Sequence, residues 1–257
     1  MDYDFVADNV KMIEERIVKA ALSAGRRPEA VELLAVSKFH PVEAVLAAYK
    51  AGVRHFGENR VQEALQKYGS GAREALPGAS LAMIGTLQSN KAGKAARFFD
   101  AVQSVDSSEL LLSLAKKSVG RSRPLKILLE LHTGEESKSG FPDLDSIFMA
   151  LDALFAAEGK IENGAESVVG SEAESIKVAA YPVDLCGLMT MAPNTDDEAA
   201  IRKSFQILFR AREVIAGRYH MPRFQELSMG MSNDFEIAIQ EGATCVRIGT
   251  ALFGARQ

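Results

Sequence analysis

Tryptophan is absent, and cysteine occurs only at Cys186 and Cys245. Each lies in an apolar, strand-like run with no second cysteine or histidine at metal-ligand spacing, which argues against a disulfide scaffold or a thiolate metal centre. Both read as buried thiols, and a reducing cytoplasm is the expected compartment. The four histidines, His40, His55, His132 and His220, are scattered over different segments, form no metal spacing and read as structural or exposed. Long apolar runs are also missing: no stretch approaches the roughly 18 residues of a membrane span. The start, Met1-Asp2-Tyr3-Asp4-Phe5, carries no basic region ahead of an apolar core, so no secretory signal is expected. Basic charge is not in excess. With 30 Lys and Arg against 34 Asp and Glu, a net charge of -4 offers no footprint for nucleic acid or an anionic membrane surface.

What is present is a chain of 257 residues, 47% hydrophobic and 25% charged, the composition of an ordinary globular protein. That length suits one domain, residues 1–257, and is typical of a closed eight-fold α/β barrel. Short apolar runs at 33–37, 53–57, 81–85, 101–105, 126–131, 185–191, 224–229 and 244–249 read as eight strands. Helical patterns at 42–51, 60–68, 88–98, 107–118, 143–156, 196–216 and 233–241 separate them. Ile201, Phe205, Leu208 and Phe209 form the apolar stripe of the longest. The alternation gives βα units and a parallel sheet; a TIM barrel is the expected fold, and a doubly wound open sheet is the alternative. An additional amphipathic helix at 3–24 precedes the first strand, as an extra layer or lid. At about 158–178, a Glu-, Gly-, Ser- and Ala-rich stretch breaks the rhythm and reads as a long acidic surface insertion.

The most informative stretch is Leu33-Leu34-Ala35-Val36-Ser37-Lys38-Phe39-His40-Pro41. A fully apolar run stops at Ser37 and Lys38, and Pro41 can open the next helix at its first position. Lys38 therefore sits in a loop on the side of a parallel α/β fold that faces ligands. A solvated loop lysine is the plain reading. A lysine partly desolvated at the mouth of a core has instead a lowered pKa, and its neutral amine can form a Schiff base with a carbonyl compound.

The last two units carry the other chemistry. Ser228-Met229-Gly230-Met231-Ser232-Asn233-Asp234 follows a strand and opens a helix, combining glycine, hydroxyls and unpaired N–H groups in a site for an anion such as phosphate. In Val246-Arg247-Ile248-Gly249-Thr250, Gly249 permits close backbone approach and Thr250 adds a hydroxyl. Loops after the last two strands are where such barrels commonly hold phosphate. Taken singly, each loop is explained as a helix cap, with Ser232 or Asn233 capping and Gly242 ending the helix. Arg247, inside an apolar strand run, would point into the barrel and need a partner there. Asn59 ends the second strand in position to touch a ligand, whereas Glu63 reads as a helix-surface charge.

The segments AVSK at 35–38, FGENRVQE at 56–63, IGTLQSNK at 84–91, SKSGF at 137–141, GLMTMAP at 187–193 and SMGMSNDFEIAI through VRIGTALFGAR at 228–256 closely resemble the pyridoxal phosphate homeostasis protein family. The resemblance covers nearly the whole chain. It implies a single barrel of the alanine racemase N-terminal domain type, with pyridoxal 5'-phosphate (PLP) bound as an imine. By position, Lys38 matches the Schiff-base lysine and Ser228, Met229, Gly230, Met231 and Ser232, with Gly249 and Thr250, match the phosphate cup. Arg247 matches the arginine facing the pyridine nitrogen, Asn59 lines the ring, and Lys138 matches a basic residue near it. The implied role is intracellular vitamin B6 homeostasis: PLP buffered on Lys38 and delivered to apo-enzymes, without robust catalysis. A PLP-dependent amino-acid racemase is the rival. A permanently charged Arg247 would leave the pyridine nitrogen unprotonated and the ring a poor electron sink, and the chain stops at Gln257 without the second domain that supplies a racemase's opposing base. A Schiff-base aldolase of the same barrel class is a third reading, disfavoured by Arg247 and the phosphate cup.

Overall fold

In the computed structural model, which describes residues 3–69, 71–134, 139–157 and 181–254, the alternating runs become α1 (Phe5–Ser23), β1 (Glu32–Val36), α2 (Val42–Lys50), β2 (His55–Glu58), α3 (Val61–Tyr68), β3 (Ser80–Met83), α4 (Ala92–Phe98), β4 (Ala101–Val105) and α5 (Ser108–Lys117). The second half continues with β5 (Leu125–Glu130), α6 (Leu144–Ala157), β6 (Val183–Met189), α7 (Glu198–Arg218), β7 (Glu226–Ser228), α8 (Phe235–Gln240), β8 (Cys245–Ile248) and α9 (Thr250–Phe253). The strands pair in parallel, in chain order, and β8 returns to β1 through Leu34 opposite Arg247 and Ala35 opposite Ile248. The barrel is closed and the open-sheet alternative falls. Lys138 and the 158–178 stretch lie outside the described residues.

Side chains alternate between two environments along each strand. Leu33 and Ala35 of β1, Phe56 of β2 and Leu81 and Met83 of β3 join the large core between strands and helices. Leu34, Val36, Ala82, Ala101 and Cys245 form a small cluster of their own, and Leu128, Cys186 and Met189 another. These two clusters fill the barrel interior, where Gly57 leaves room: a Cβ there would stand 2.4 Å from Leu34 Cδ2. Both cysteines are buried, as expected, and burial pushes both thiols well above their ordinary pKa, Cys245 to about 12.

The helix after β8 is a single turn, too short to cover β8 and β1. α1 fills that place. It buries Val6, Val10, Ile13, Ile17, Ala20 and Ala21 and packs on α8, α9 and α2, so it belongs to the outer helix layer. Asn9 Nδ2 donates to Leu252 O at 3.0 Å, and Arg26 Nη1 to Ile239 O at 2.6 Å, fixing its two ends. In α7, Ile201, Phe205 and Leu208 are buried as the stripe requires, whereas Phe209 faces outward under the Arg212 guanidinium.

Candidate functional site

Lys38 is the second residue beyond β1, after Ser37. Since Leu34 and Val36 face the barrel interior and Ser37 faces the helices, the alternation places Lys38 at the interior mouth, where it is half-buried. The chain then turns sharply. His40 N–H donates to Ser37 O at 3.1 Å, and Phe39 has a φ of +66°.

Behind this turn is a buried polar cluster. Ser37 Oγ donates to Glu58 Oε1 at 2.7 Å and lies 2.9 Å from Tyr68 OH. Lys67 Nζ donates to Ser37 O at 2.6 Å and to Glu58 Oε1 at 2.7 Å. Burial pushes the Glu58 carboxyl above its ordinary pKa, with Lys67 and Ser37 pulling the other way. Glu63 is not the surface charge expected from the sequence: its Oε1 accepts the Phe39 N–H at 2.6 Å and sits 3.5 Å from Lys67 Nζ. Its spacing on α3 suggested an outward face, and the turn at Phe39 folds back to meet it.

Arg247 is buried inside the barrel. Nη1 donates to Ser228 O at 2.6 Å and to Ser228 Oγ at 2.8 Å, and Nη2 to Thr190 O at 2.7 Å; Nε has no acceptor among the described hydrogen bonds. The partner foreseen for it is thus a set of neutral oxygens. Ser228 Oγ donates onward to Gln103 Oε1 at 2.7 Å. Glu130, 3% exposed at the end of β5, shares this interior. Burial raises its carboxyl to about 7, with Arg247 lowering it and Asp106 raising it. Gln103 and Glu130 escaped the sequence reading; the available signal was a polar residue at an inward position of an apolar run.

The loops after β7 and β8 cross. Arg247 N–H donates to Gly230 O at 2.9 Å, and Ala251 N–H to Ser232 Oγ at 3.3 Å. Gly230 has a φ of +93°, and a Cβ on it would stand 2.5 Å from Ala238 Cβ. A Cβ on Gly249 would lie 3.3 Å from Val36 O, so the β8 loop runs tightly against the end of β1. Met229 is buried beneath the loop and Met231 is exposed on it. Neither Ser232 nor Asn233 caps α8. Asp234 precedes that helix, and its Oδ1 accepts the Met231 N–H at 2.5 Å. The N–H groups of Ser232, Asn233 and Thr250 meet no acceptor among the described hydrogen bonds.

Asn59 sits beyond β2 against Gly85, and its Oδ1 is buried without a hydrogen-bond partner. Lys138 cannot be placed with these groups, being outside the described residues. The chain beyond it returns to the same rim: Phe141 N–H donates to Glu130 O at 2.7 Å. Of the histidines, His132 is half-buried, with its Nε2 buried, and His40 packs on the Phe253 ring at 5.0 Å. Among the described residues no group of His, Cys, Asp and Glu could hold a metal ion, and no helix is long and apolar enough to cross a membrane.

A family model described as the N-terminal domain of alanine racemase matches residues 8–257. The chain is similar to the pyridoxal phosphate homeostasis protein of Pseudomonas aeruginosa, 39% identical over 252 residues that cover 98% of this chain and 96% of that one. It is similar to the protein of the same name from Escherichia coli, 34% identical over 98% of this chain and 97% of that one. Among solved structures it resembles PipY of Synechococcus elongatus with PLP bound, at a TM-score of 0.76 and 32% identity over 97% of this chain and 100% of that one. Alanine racemase from Bacillus anthracis shares the fold at a TM-score of 0.68 and 19% identity, over 99% of this chain and 57% of that one.

Proposed function

The chain belongs to the pyridoxal phosphate homeostasis protein family, and from that premise we propose that it binds PLP at the carboxyl-terminal rim of its barrel, anchored on Lys38. Buffering and delivery to apo-enzymes of the cytoplasm is the role this supports, with residues 1–257 acting as one domain. The observation that carries it is the meeting at one rim of a half-buried lysine after β1 and two crossed loops after β7 and β8.

PLP supplies an aldehyde that condenses with a primary amine, and a phosphate that needs donors. Lys38 supplies the amine. The N–H groups of Ser232, Asn233 and Thr250, which meet no acceptor among the described hydrogen bonds, and the hydroxyls of Ser232 and Thr250 suit the phosphate. Gly230 lets the first loop close on α8, and Gly249 lets the second run against the end of β1. Met229 and Met231 pack below and at the rim of the loop. The unpartnered Asn59 Oδ1 suits a ring edge, and Ser228 orients the Arg247 guanidinium. Lys138 joins by sequence position. Arg247 would, where it faces the ring nitrogen as the resemblance implies, leave that nitrogen unprotonated, which would weaken electron withdrawal and favour holding over carbanion chemistry.

The test is the visible absorption of purified protein and of Lys38→Ala, each with PLP, followed by borohydride reduction and peptide mass mapping. A pyridoxyl mass on the Lys38 peptide of the wild type, and no absorption band in the variant, is the expected result. A band that survives Lys38→Ala overturns the anchor. Rapid racemisation of D- or L-alanine by the wild type overturns the carrier role in favour of the racemase.

A further inference from the structure

We propose that Glu63 and Lys67, acting with Glu58, are the positioning residues of Lys38 and fix the peptide groups on either side of it. The inference rests on Lys38 being the PLP anchor. It adds what makes that anchor rigid.

The turn Ser37 to His40 sets Lys38 and Phe39 at its two corners, with φ of +66° at the second. A β-turn with positive φ at its third residue is a place for glycine or asparagine. Phenylalanine there is strained, and such strain persists only where the surroundings over-determine the backbone. Here they do, from both sides. Lys67 Nζ holds Ser37 O at 2.6 Å, one peptide before Lys38. Glu63 Oε1 holds the Phe39 N–H at 2.6 Å, one peptide after it. The same Nζ reaches Glu58 Oε1 at 2.7 Å and Glu63 Oε1 at 3.5 Å, so the three protons of the ammonium are all directed.

Burial makes this cluster costly and therefore specific. The Lys67 side chain is 8% exposed and that of Glu58 not at all. An ion pair so buried is a weak source of stability, and its best-attested use is to select one arrangement among several. Ser37 and Glu58 alternate with the inward-facing Val36 and Gly57, so the cluster lies on the helix side of the sheet. Lys67 therefore acts on Lys38 through the backbone, at Ser37 O.

The experiment is PLP titration by visible absorbance on the full chain, with thermal melts of the PLP-free proteins. Lys67→Met breaks a buried pair and risks unfolding, so the variants are Glu63→Ala, Glu63→Gln, Phe39→Gly and the double variant Phe39→Gly with Glu63→Ala. Glu63→Ala is expected to raise the dissociation constant about tenfold, the loss of one charge-assisted hydrogen bond. Glu63→Gln, which keeps the accepting oxygen, should restore most of that affinity. On Phe39→Gly, where positive φ needs no support, Glu63→Ala should cost less than about threefold. Wild-type affinity in Glu63→Ala, or an equal loss with and without Phe39→Gly, overturns the positioning role. So does an affinity loss that tracks the melting temperature in every variant. Failure of the anchor itself reads differently: the wild type would then carry no pyridoxyl mass on its Lys38 peptide.

Discussion

Arg247 and Glu130 share the barrel interior, and the attraction of the guanidinium only partly offsets what burial does to the carboxyl. Burial raises the Glu130 carboxyl from 4.5 to about 7 against the pull of Arg247. The folded protein thus binds that proton more tightly than the unfolded chain does. Its contribution to stability is fully present below pH 4.5 and is lost as the pH climbs through about 7. A difference of this size corresponds to roughly 3 kcal/mol. Glu130→Gln keeps the shape and removes the titration, so urea unfolding should show the wild type losing stability relative to the variant between pH 5 and pH 8. Parallel pH curves for the two would show that Arg247 keeps Glu130 ionised throughout. Arg247 itself was legible in the sequence, because an arginine in an apolar strand must point somewhere special. Lys67 and Glu58 were not: on a helix such as α3 a lysine belongs by default to the polar face, and only the returning turn at Phe39 shows that this face is covered.

At the scale of elements, the loop after β7 depends on one backbone conformation. Gly230 combines positive φ with a Cβ position already filled by Ala238 and, at 2.9 Å, by Phe235 Cα, while its carbonyl anchors Arg247 N–H. Gly230→Ala should therefore shift α8 away from the loop, at a cost of about 1–3 kcal/mol. PLP affinity should fall at least about tenfold if the loop holds the phosphate, since several donors are displaced together. Gly217→Ala in α7 is the control, because nothing stands within 4 Å of its Cβ position. It should leave affinity unchanged and match or slightly exceed wild-type stability, as alanine favours a helix interior. Equal affinities for the two variants would remove the loop from the site. The elements themselves were legible wherever the hydrophobic period ran long enough: β4 lies at 101–105 as read, and the other strands shift by one or two residues at their ends. α9 was missed because four residues carry no period; Gly242 ends α8 as read, with φ of +103°, but the N-terminal cap was misassigned because Ser232 spends its hydroxyl on Ala251, across the neighbouring loop.

For the molecule as a whole, the decisive question is what closes the helix layer where α9 is too short to do it. The sequence places a helix at 3–24 but is silent on where it docks, since an amphipathic stripe does not name its partner. The structure seats it on α8, α9 and α2, which makes α1 a structural part of the ring and a brace for the loop that begins at Thr250. Two of the contacts that join α1 to the ring differ in strength. Ile13 is 1% exposed within the main core, whereas the Arg16–Glu236 pair leaves both side chains about 40% exposed to solvent. Truncating the first leaves a cavity and should cost about 2–5 kcal/mol. Truncating the second should cost under about 1 kcal/mol, because water and salt screen an exposed pair. Ile13→Ala should therefore lower the unfolding midpoint in urea with the slope unchanged, in one transition by both fluorescence and circular dichroism, while Arg16→Ala stays near wild type. A separate early transition in Ile13→Ala would mean that α1 undocks on its own and leaves a folded barrel behind. Equal losses for the two variants would mean that the surface pair, and not the apolar face, holds the helix in the ring.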